Sequence, residues 1–367
     1  MAAITLKALS ATGLPGRFDL TIQDREFAVL TGADESPGSA IVRMIAGLDP
    51  VSAGEILLGP RPVHGLPPSE RGVGFVAQDF VPYPALTVSE NISLGLEMRK
   101  FGKAEAERRT QEAAEMLDLQ SILKTNARDL PAEQRQRIGL ARAYAQQPGV
   151  YLFDQPFAGL PAEAQRRGRA EIAKLRDRSA ATILYATGDP AEALAFGGRV
   201  VFMAGGEVQQ DTDTRALLES PANLTVAKFF QDPPMNLIKG TVKAGRDGLL
   251  FSEEGDGTIS VRLPPALAAE VSGTDGRSMF LGLTADGLTL AQPGRSKDTS
   301  FRALVDRIEL KGTQSDIYLQ TGAHNLLCRI DFWPEMEEGG RRREFDIDLA
   351  KVQLFDAASG YRITAKT

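Results

Sequence analysis

Histidine and cysteine are nearly missing from this chain: His64, His324 and Cys328 are all there are in 367 residues. Two histidines so far apart argue against a His-based metal site or triad within one chain, and each reads as a surface or packing residue. A lone cysteine rules out an internal disulfide framework and agrees with a reducing cytoplasm. Long apolar runs are also missing, so no segment is expected to span a bilayer. The opening residues MAAITLKALS lack a secretory-leader pattern. Any membrane association is therefore expected to run through a partner protein. Positive charge is in deficit: 48 acidic residues against 42 basic ones give −6. Nucleic acid is not an expected partner.

What is present is an ordinary globular composition, 43% hydrophobic and 25% charged. The length exceeds one ordinary core and implies two domains. The first part alternates strand and helix patterns. FAVLTG (27–32) is a short apolar run ending in glycine, the pattern of a buried parallel strand. A helix over 39–46 follows, then a strand over 73–78, an amphipathic helix over 103–119 and a helix over 133–145. VYLFD (150–154) is a strand ending in an acid; a helix over 162–178, the strand TILYAT and a helix over 190–195 come next. RVVFMAGGEVQQ reads as a hairpin turning at Gly205 and Gly206. The sum is an α/β domain with a largely parallel sheet. Near QDPPMNLIKG the character changes, with Pro233 and Pro234 marking a linker. Short alternating runs with glycine-rich turns then predict a small all-β domain. The expected domains are 1–235, with a helical subdomain about 87–147, and 236–367. The lone Trp333 and Cys328 read as packing residues.

The stretch TGADESPGSAIVRMIAGLD (31–49) has the strand, turn and helix of a phosphate-binding loop. Such loops wrap phosphates in backbone N–H groups, neutralise them with a lysine and hold Mg²⁺ with a Ser or Thr. Further segments follow in a fixed order: GFVAQDFVPYPALTVSENISLGL, LPAEQRQRIGLARA, VYLFDQPFAGLP and ILYATGDPAEAL. This order resembles the ATP-binding subunits of ABC transporters, in particular the carbohydrate and polyol importer branch, whose members carry a β-rich regulatory domain at the C-terminus. YATGDPAEALAFGG and FFQDPPMNLIKG look closest to an ATP-binding subunit of glycerol importers. The resemblance implies a P-loop NTPase-type sheet with a helical subdomain, then a small OB-like β domain.

Set against that pattern, the nucleotide positions are altered. The family places G-P-S-G-C-G-K-S-T across 32–40. Gly32 and Ser39 are kept, Glu35 and Pro37 stand in place of glycines, and Gly38 stands in place of the lysine. Pro37 removes an N–H donor. Asp34 and Glu35 would each repel a polyphosphate by roughly 1–4 kcal/mol. Ser36 can cap the helix, Pro37 suits its first position, and the two carboxylates can sit against its N-terminus in place of a phosphate. The signature LSGGQ appears as Leu130, Pro131, Ala132, Glu133 and Gln134. Asp154 is kept, so Ser39 and Asp154 could still hold Mg²⁺, although a residual polar pair of Asp154 with Gln155 is the other reading. Gln155 replaces the glutamate that polarises water and cannot accept a proton. Gly188 replaces the switch histidine, no aromatic stands in ATGLPG (11–16) to stack adenine, and Gln78 is kept. Phe80, Tyr83, Pro84 and Leu86 read as a groove for a membrane permease. Arg135, Arg137 and Arg142 read either as a solvated helix face or as a subunit interface.

The resemblance then implies a degenerate subunit paired with a second, intact ABC ATPase subunit. It implies two membrane permeases, an extracytoplasmic substrate-binding protein, and a place on the cytoplasmic side of the bacterial inner membrane. ATP and Mg²⁺ are expected mainly on the partner, with this chain's own loop empty. The alternative is a regulatory or scaffold pseudo-ATPase, without a transport role, acting through its β domain.

Overall fold

The computed structural model describes residues 2–11, 14–33, 37–245, 248–271, 276–291, 299–331 and 340–364. Asp34, Glu35, Ser36 and Trp333 lie outside the described residues, as does part of the ATGLPG segment. The chain divides into two compact units, 1–214 and 215–367.

The first unit begins with β1 (Ile4–Ala11), β2 (Leu14–Ile22), β3 (Phe27–Gly32), α1 (Pro37–Ala46), β4 (Ala53–Leu58) and β5 (Arg61–Pro62). It continues through β6 (Val73–Val76), α2 (Val88–Met98), α3 (Lys103–Met116), α4 (Ala132–Ala145), β7 (Val150–Asp154) and α5 (Ala162–Arg178). It ends with β8 (Thr182–Ala186), α6 (Pro190–Phe196), β9 (Arg199–Ala204) and β10 (Glu207–Asp213). Six strands form the central sheet in the order β10-β9-β3-β8-β7-β6. Every pair is parallel except the β9–β10 hairpin. Strands β7 and β8 are buried along their whole length, which is why they read as unbroken apolar runs. A second, antiparallel sheet, β2-β1-β4-β5, was not legible as a unit in the sequence. Its strands supply Ile4, Leu6, Leu20, Ile22 and Ile56 to the core beneath α1 and the central sheet. The parallel arrangement brings the C-terminal ends of β3, β7 and β8 side by side, where open α/β sheets place their ligand sites.

The second unit takes in residues 215–235 as well as the β-rich segment. After α7 (Thr214–Glu219) and α8 (Leu224–Phe230) come β11 (Asn236–Gly245), β12 (Gly248–Glu253), β13 (Ser260–Arg262), α9 (Pro265–Glu270), β14 (Ser278–Leu283) and β15 (Leu288–Leu290). They are followed by β16 (Ser300–Lys311), β17 (Gln314–Gln320), β18 (Asn325–Asp331), β19 (Arg342–Ile347) and β20 (Gln353–Asp356). Two five-stranded sheets, β13-β12-β11-β14-β20 and β15-β19-β16-β17-β18, are antiparallel throughout. Their inner faces share one apolar core that includes Ile238, Phe251, Leu281, Phe345 and Cys328. Cys328 is fully buried, as a packing residue should be. His324 is also structural: its Nδ1 donates to Glu253 Oε1 at 2.6 Å while its Nε2 accepts the Lys239 N–H at 3.1 Å.

Candidate functional site

Three neighbouring strand ends build the site. At the end of β3, Gly32 leaves room for no side chain: a Cβ there would stand 2.5 Å from the Met203 carbonyl oxygen and 2.8 Å from Pro37 Cγ. The α1 helix starts at Pro37, whose fixed φ suits a first helical position and whose missing N–H costs nothing there. Gly38 is buried in the first turn, and a Cβ on it would meet the Leu30 carbonyl oxygen at 3.0 Å and Ala186 Cβ at 3.2 Å. Any side chain on Gly38 would therefore need these neighbours to give by a few tenths of an ångström.

Ser39 comes next, and its hydroxyl is engaged within the chain. It accepts from Gln155 Nε2 at 2.9 Å and also bonds the Asp154 carboxyl. Asp154 is 5% exposed, and its Oδ1 has no hydrogen-bond partner among the described residues. Burial raises its carboxyl above the ordinary range, and Ser39 and Arg43 pull part of that back. Gln155 holds a left-handed backbone, φ 43°, with its N–H on the Ala186 carbonyl at 3.0 Å. Arg43 is committed elsewhere: its guanidinium forks onto Asp49 at 2.8 and 3.0 Å, which raises Arg43 and lowers Asp49.

At the end of β8, exposed Gly188 follows Thr187. The Thr187 hydroxyl donates to Glu192 Oε2 at 2.6 Å and the Tyr185 hydroxyl to Oε1 at 2.8 Å, while Asp189 caps α6. Burial raises Glu192, and the two hydroxyls oppose it. Nothing in the local sequence marked Glu192 as the acid that closes this strand end.

The segment 130–134 opens α4. Pro131 is the N-cap, without a side-chain cap bond, and Ala132 begins the helix. Glu133 is not a bare charge: Arg137 and Arg167 each lie 3.5 Å from its Oε1. Arg137 also pairs with Glu171 of α5 at 2.7 Å. Burial outweighs that cation and pushes Glu171 up to about 7.

Gln78, Asp79, Phe80 and Pro84 line a cleft of about 440 Å³ together with Arg128 and Arg135. Val81, which also lines it, stands 76% exposed; Tyr83 and Leu86 do not line it, Tyr83 standing 52% exposed and Leu86 half-buried. The three arginines of α4 part company here. Arg135 faces the cleft, Arg137 turns to α5, and Arg142 turns inward. Neither reading of the sequence describes Arg142, which packs beneath Phe80 and Tyr83.

A parallel sheet with a strand–turn–helix at β3–α1 and an acid closing β7, one strand over across β8, defines a P-loop NTPase-type cassette. The ABC transporter family profile matches residues 16–158. An ABC transporter ATP-binding protein of Bacillus subtilis, YurJ, is 34% identical over 343 residues, covering 93% of this chain and 92% of its own. The sn-glycerol-3-phosphate import ATP-binding protein UgpC of Burkholderia mallei is 35% identical over 371 residues, 99% of each chain. Among solved structures, a dimeric post-hydrolysis state of the ATP-binding cassette MJ0796, bound to ADP and Pi, matches 58% of this chain and 99% of its own with TM-score 0.51 and 26% identity. The chain belongs to the ATP-binding proteins of ABC transporters.

Nucleotide and Mg²⁺ are the ligands of that family, and the residues here match them unevenly. Asp154, with an unpartnered buried oxygen, could still meet a cation. The described part of the cradle does not suit a triphosphate: it offers no cation, Pro37 has no N–H, and the Ser39 hydroxyl is already engaged.

Proposed function

We propose that this chain is a catalytically degenerate ATP-binding-type subunit of a bacterial ABC importer for a polyol or sugar. It would pair with an intact ATPase subunit and work mechanically, holding a membrane permease at the cleft beside Gln78 to Leu86. The observation that carries the reading is the Ser39 hydroxyl bonded to Gln155 and Asp154, in a loop whose lysine position is a closed-in glycine. Gln155 adds to it, since a carboxamide cannot act as the base for an attacking water. ATP and Mg²⁺ would then reside mainly on the partner's loop. The importer assignment draws on UgpC, whose name specifies sn-glycerol 3-phosphate import. The same reading brings two permeases, an extracytoplasmic binding protein and a place on the cytoplasmic face of the inner membrane. Among the described residues no helix is long and apolar enough to cross a membrane, so attachment would go through the permeases.

The test is to purify the assembled complex with ATP and Mg²⁺ and score nucleotide in each composite site. Nucleotide on the partner's loop, with none on residues 32–40 of this chain, is the expected result. Occupancy of this chain's own loop, with turnover abolished by Asp154→Ala, would overturn it.

A further inference from the structure

One face of α4 follows the loop between β6 and α2 at successive turns. Gln136 Nε2 donates to the Ala77 carbonyl at 3.4 Å. One turn on, Phe80 lies against Gly139, where a Cβ would stand 2.8 Å from Phe80 Cγ. One turn further, the Arg142 guanidinium lies 4.9 Å from the Phe80 ring centre and 5.3 Å from that of Tyr83. Arg142 also donates to Asn91 twice, from Nε to the backbone carbonyl at 3.0 Å and from Nη2 to Oδ1 at 2.8 Å. Fully buried Asn91 in turn grips the loop: Oδ1 accepts the Tyr83 N–H at 2.8 Å, and Nδ2 reaches the Tyr83 and Leu86 carbonyls at 3.0 and 3.2 Å.

Arg142 forms no ion pair among the described residues, and burial lowers its pKa. A cation kept inside at that cost, held only by carbonyl-type oxygens and two aromatic faces, has a geometric task. We infer that Arg142 is the positioning residue that fastens the permease-facing loop 80–87 to α4, so that the loop and the helix carrying residues 130–134 move as one body. Arg142 orients the Asn91 carboxamide, and the carboxamide sets Tyr83 and Leu86. The surface offered to a membrane partner is thereby tied to the surface offered to a second cassette. This rests on the proposed docking role of the loop.

The test uses the full-length chain and amide hydrogen exchange. Arg142→Lys keeps the charge but loses the planar fork. It should speed exchange of the Tyr83 and Leu86 amides by about tenfold or more, the effect of losing a charge-assisted bond. Exchange in β7 and β8 should not change. Asn91→Asp keeps an acceptor for Arg142 and the Tyr83 N–H but sets a carboxylate oxygen against the Tyr83 and Leu86 carbonyls, so it too should speed exchange in the loop. Spin labels on Val81→Cys and Gln147→Cys, both exposed positions, should give a broader distance distribution in Arg142→Lys. Unchanged loop exchange, or equal loss of protection in β7 and β8, would overturn the inference. Failure of the wild-type chain to bind any ABC permease would instead defeat the docking role and leave the exchange result standing.

Discussion

At Ser39 the hydroxyl has neighbours on two sides from the end of β7 and the residue after it, Asp154 and the donating Gln155 (2.9 Å for the latter). A nucleotide-bound magnesium ion would have to displace the Gln155 amide from that oxygen. Putting back the missing cation alone should therefore fail. Gly38→Lys would press its Cβ on the Leu30 carbonyl and Ala186, an overpacking worth about 1–3 kcal/mol. Pro37 and the acidic residues of the loop would remain. Calorimetric titration with MgATP should show no tight binding, and thermal melting should show lower stability; tight binding by this single change would refute the argument. The second residue-scale case is Glu171. Its carboxyl is raised from 4.5 to about 7 by burial, so the folded state binds the proton more firmly than the unfolded one. Stability from this group is complete below about 4.5 and is lost as pH rises through about 7, up to about 3 kcal/mol. Glu171→Gln removes the titration. The wild type minus variant difference in denaturation free energy should fall between pH 4.5 and 7 and then level off; a flat difference would contradict the assignment.

At the scale of elements, the buried runs were the legible ones. β3, β7 and α5 fall at the bounds read from the sequence, because continuous apolar strands and an amphipathic helix flanked by turns leave few alternatives. The α1 helix begins at Pro37, two residues before the apolar repeat over 39–46 and at the first position that the proline suits. The capping box of α2, Thr87 with Glu90, was written in plain residues and passed over. Arg71 could not be found in this way, because its partners are carbonyls. It donates to Met44 and Ile45 at the end of α1 at 2.6 and 3.0 Å, and to Leu66 and His64 at 2.9 and 3.2 Å. A buried arginine thus caps the helix that carries the phosphate-loop remnant. Arg71→Ala should cost about 2–4 kcal/mol by leaving these carbonyls unpaired. Chemical denaturation would measure it, and a loss below about 0.5 kcal/mol would mean that water replaces the guanidinium fully.

For the whole molecule, the order of motifs told the family from the sequence, but a composition shift told only roughly where one unit gives way to the next. Pro233 and Pro234 suggested a boundary at 235, whereas the compact unit starts at Arg215. Proline marks a break in local conformation, not the end of a core. The helix α8 packs into the β unit by long-range contacts that no local pattern announces. Ala227, Met235 and Phe355 form one buried cluster with Leu224, Leu237 and Phe280 against it. The Leu224 N–H donates to the Gly360 carbonyl at 2.9 Å, and Gln353 Nε2 donates to the Glu219 carbonyl at 3.1 Å. Two fragments separate the boundaries. Residues 215–367 retain this cluster and should melt cooperatively. Residues 236–367 lose Val226, Ala227 and Phe230, all buried, and leave Phe355 uncovered. Losing several buried side chains at about 1.5–3 kcal/mol each should lower the melting temperature by about 10 °C or more, or prevent folding. Calorimetry on both fragments checks this. Equal melting of the two would place the boundary at the proline pair after all, and residues 215–235 would then be an appendage, not part of the β unit.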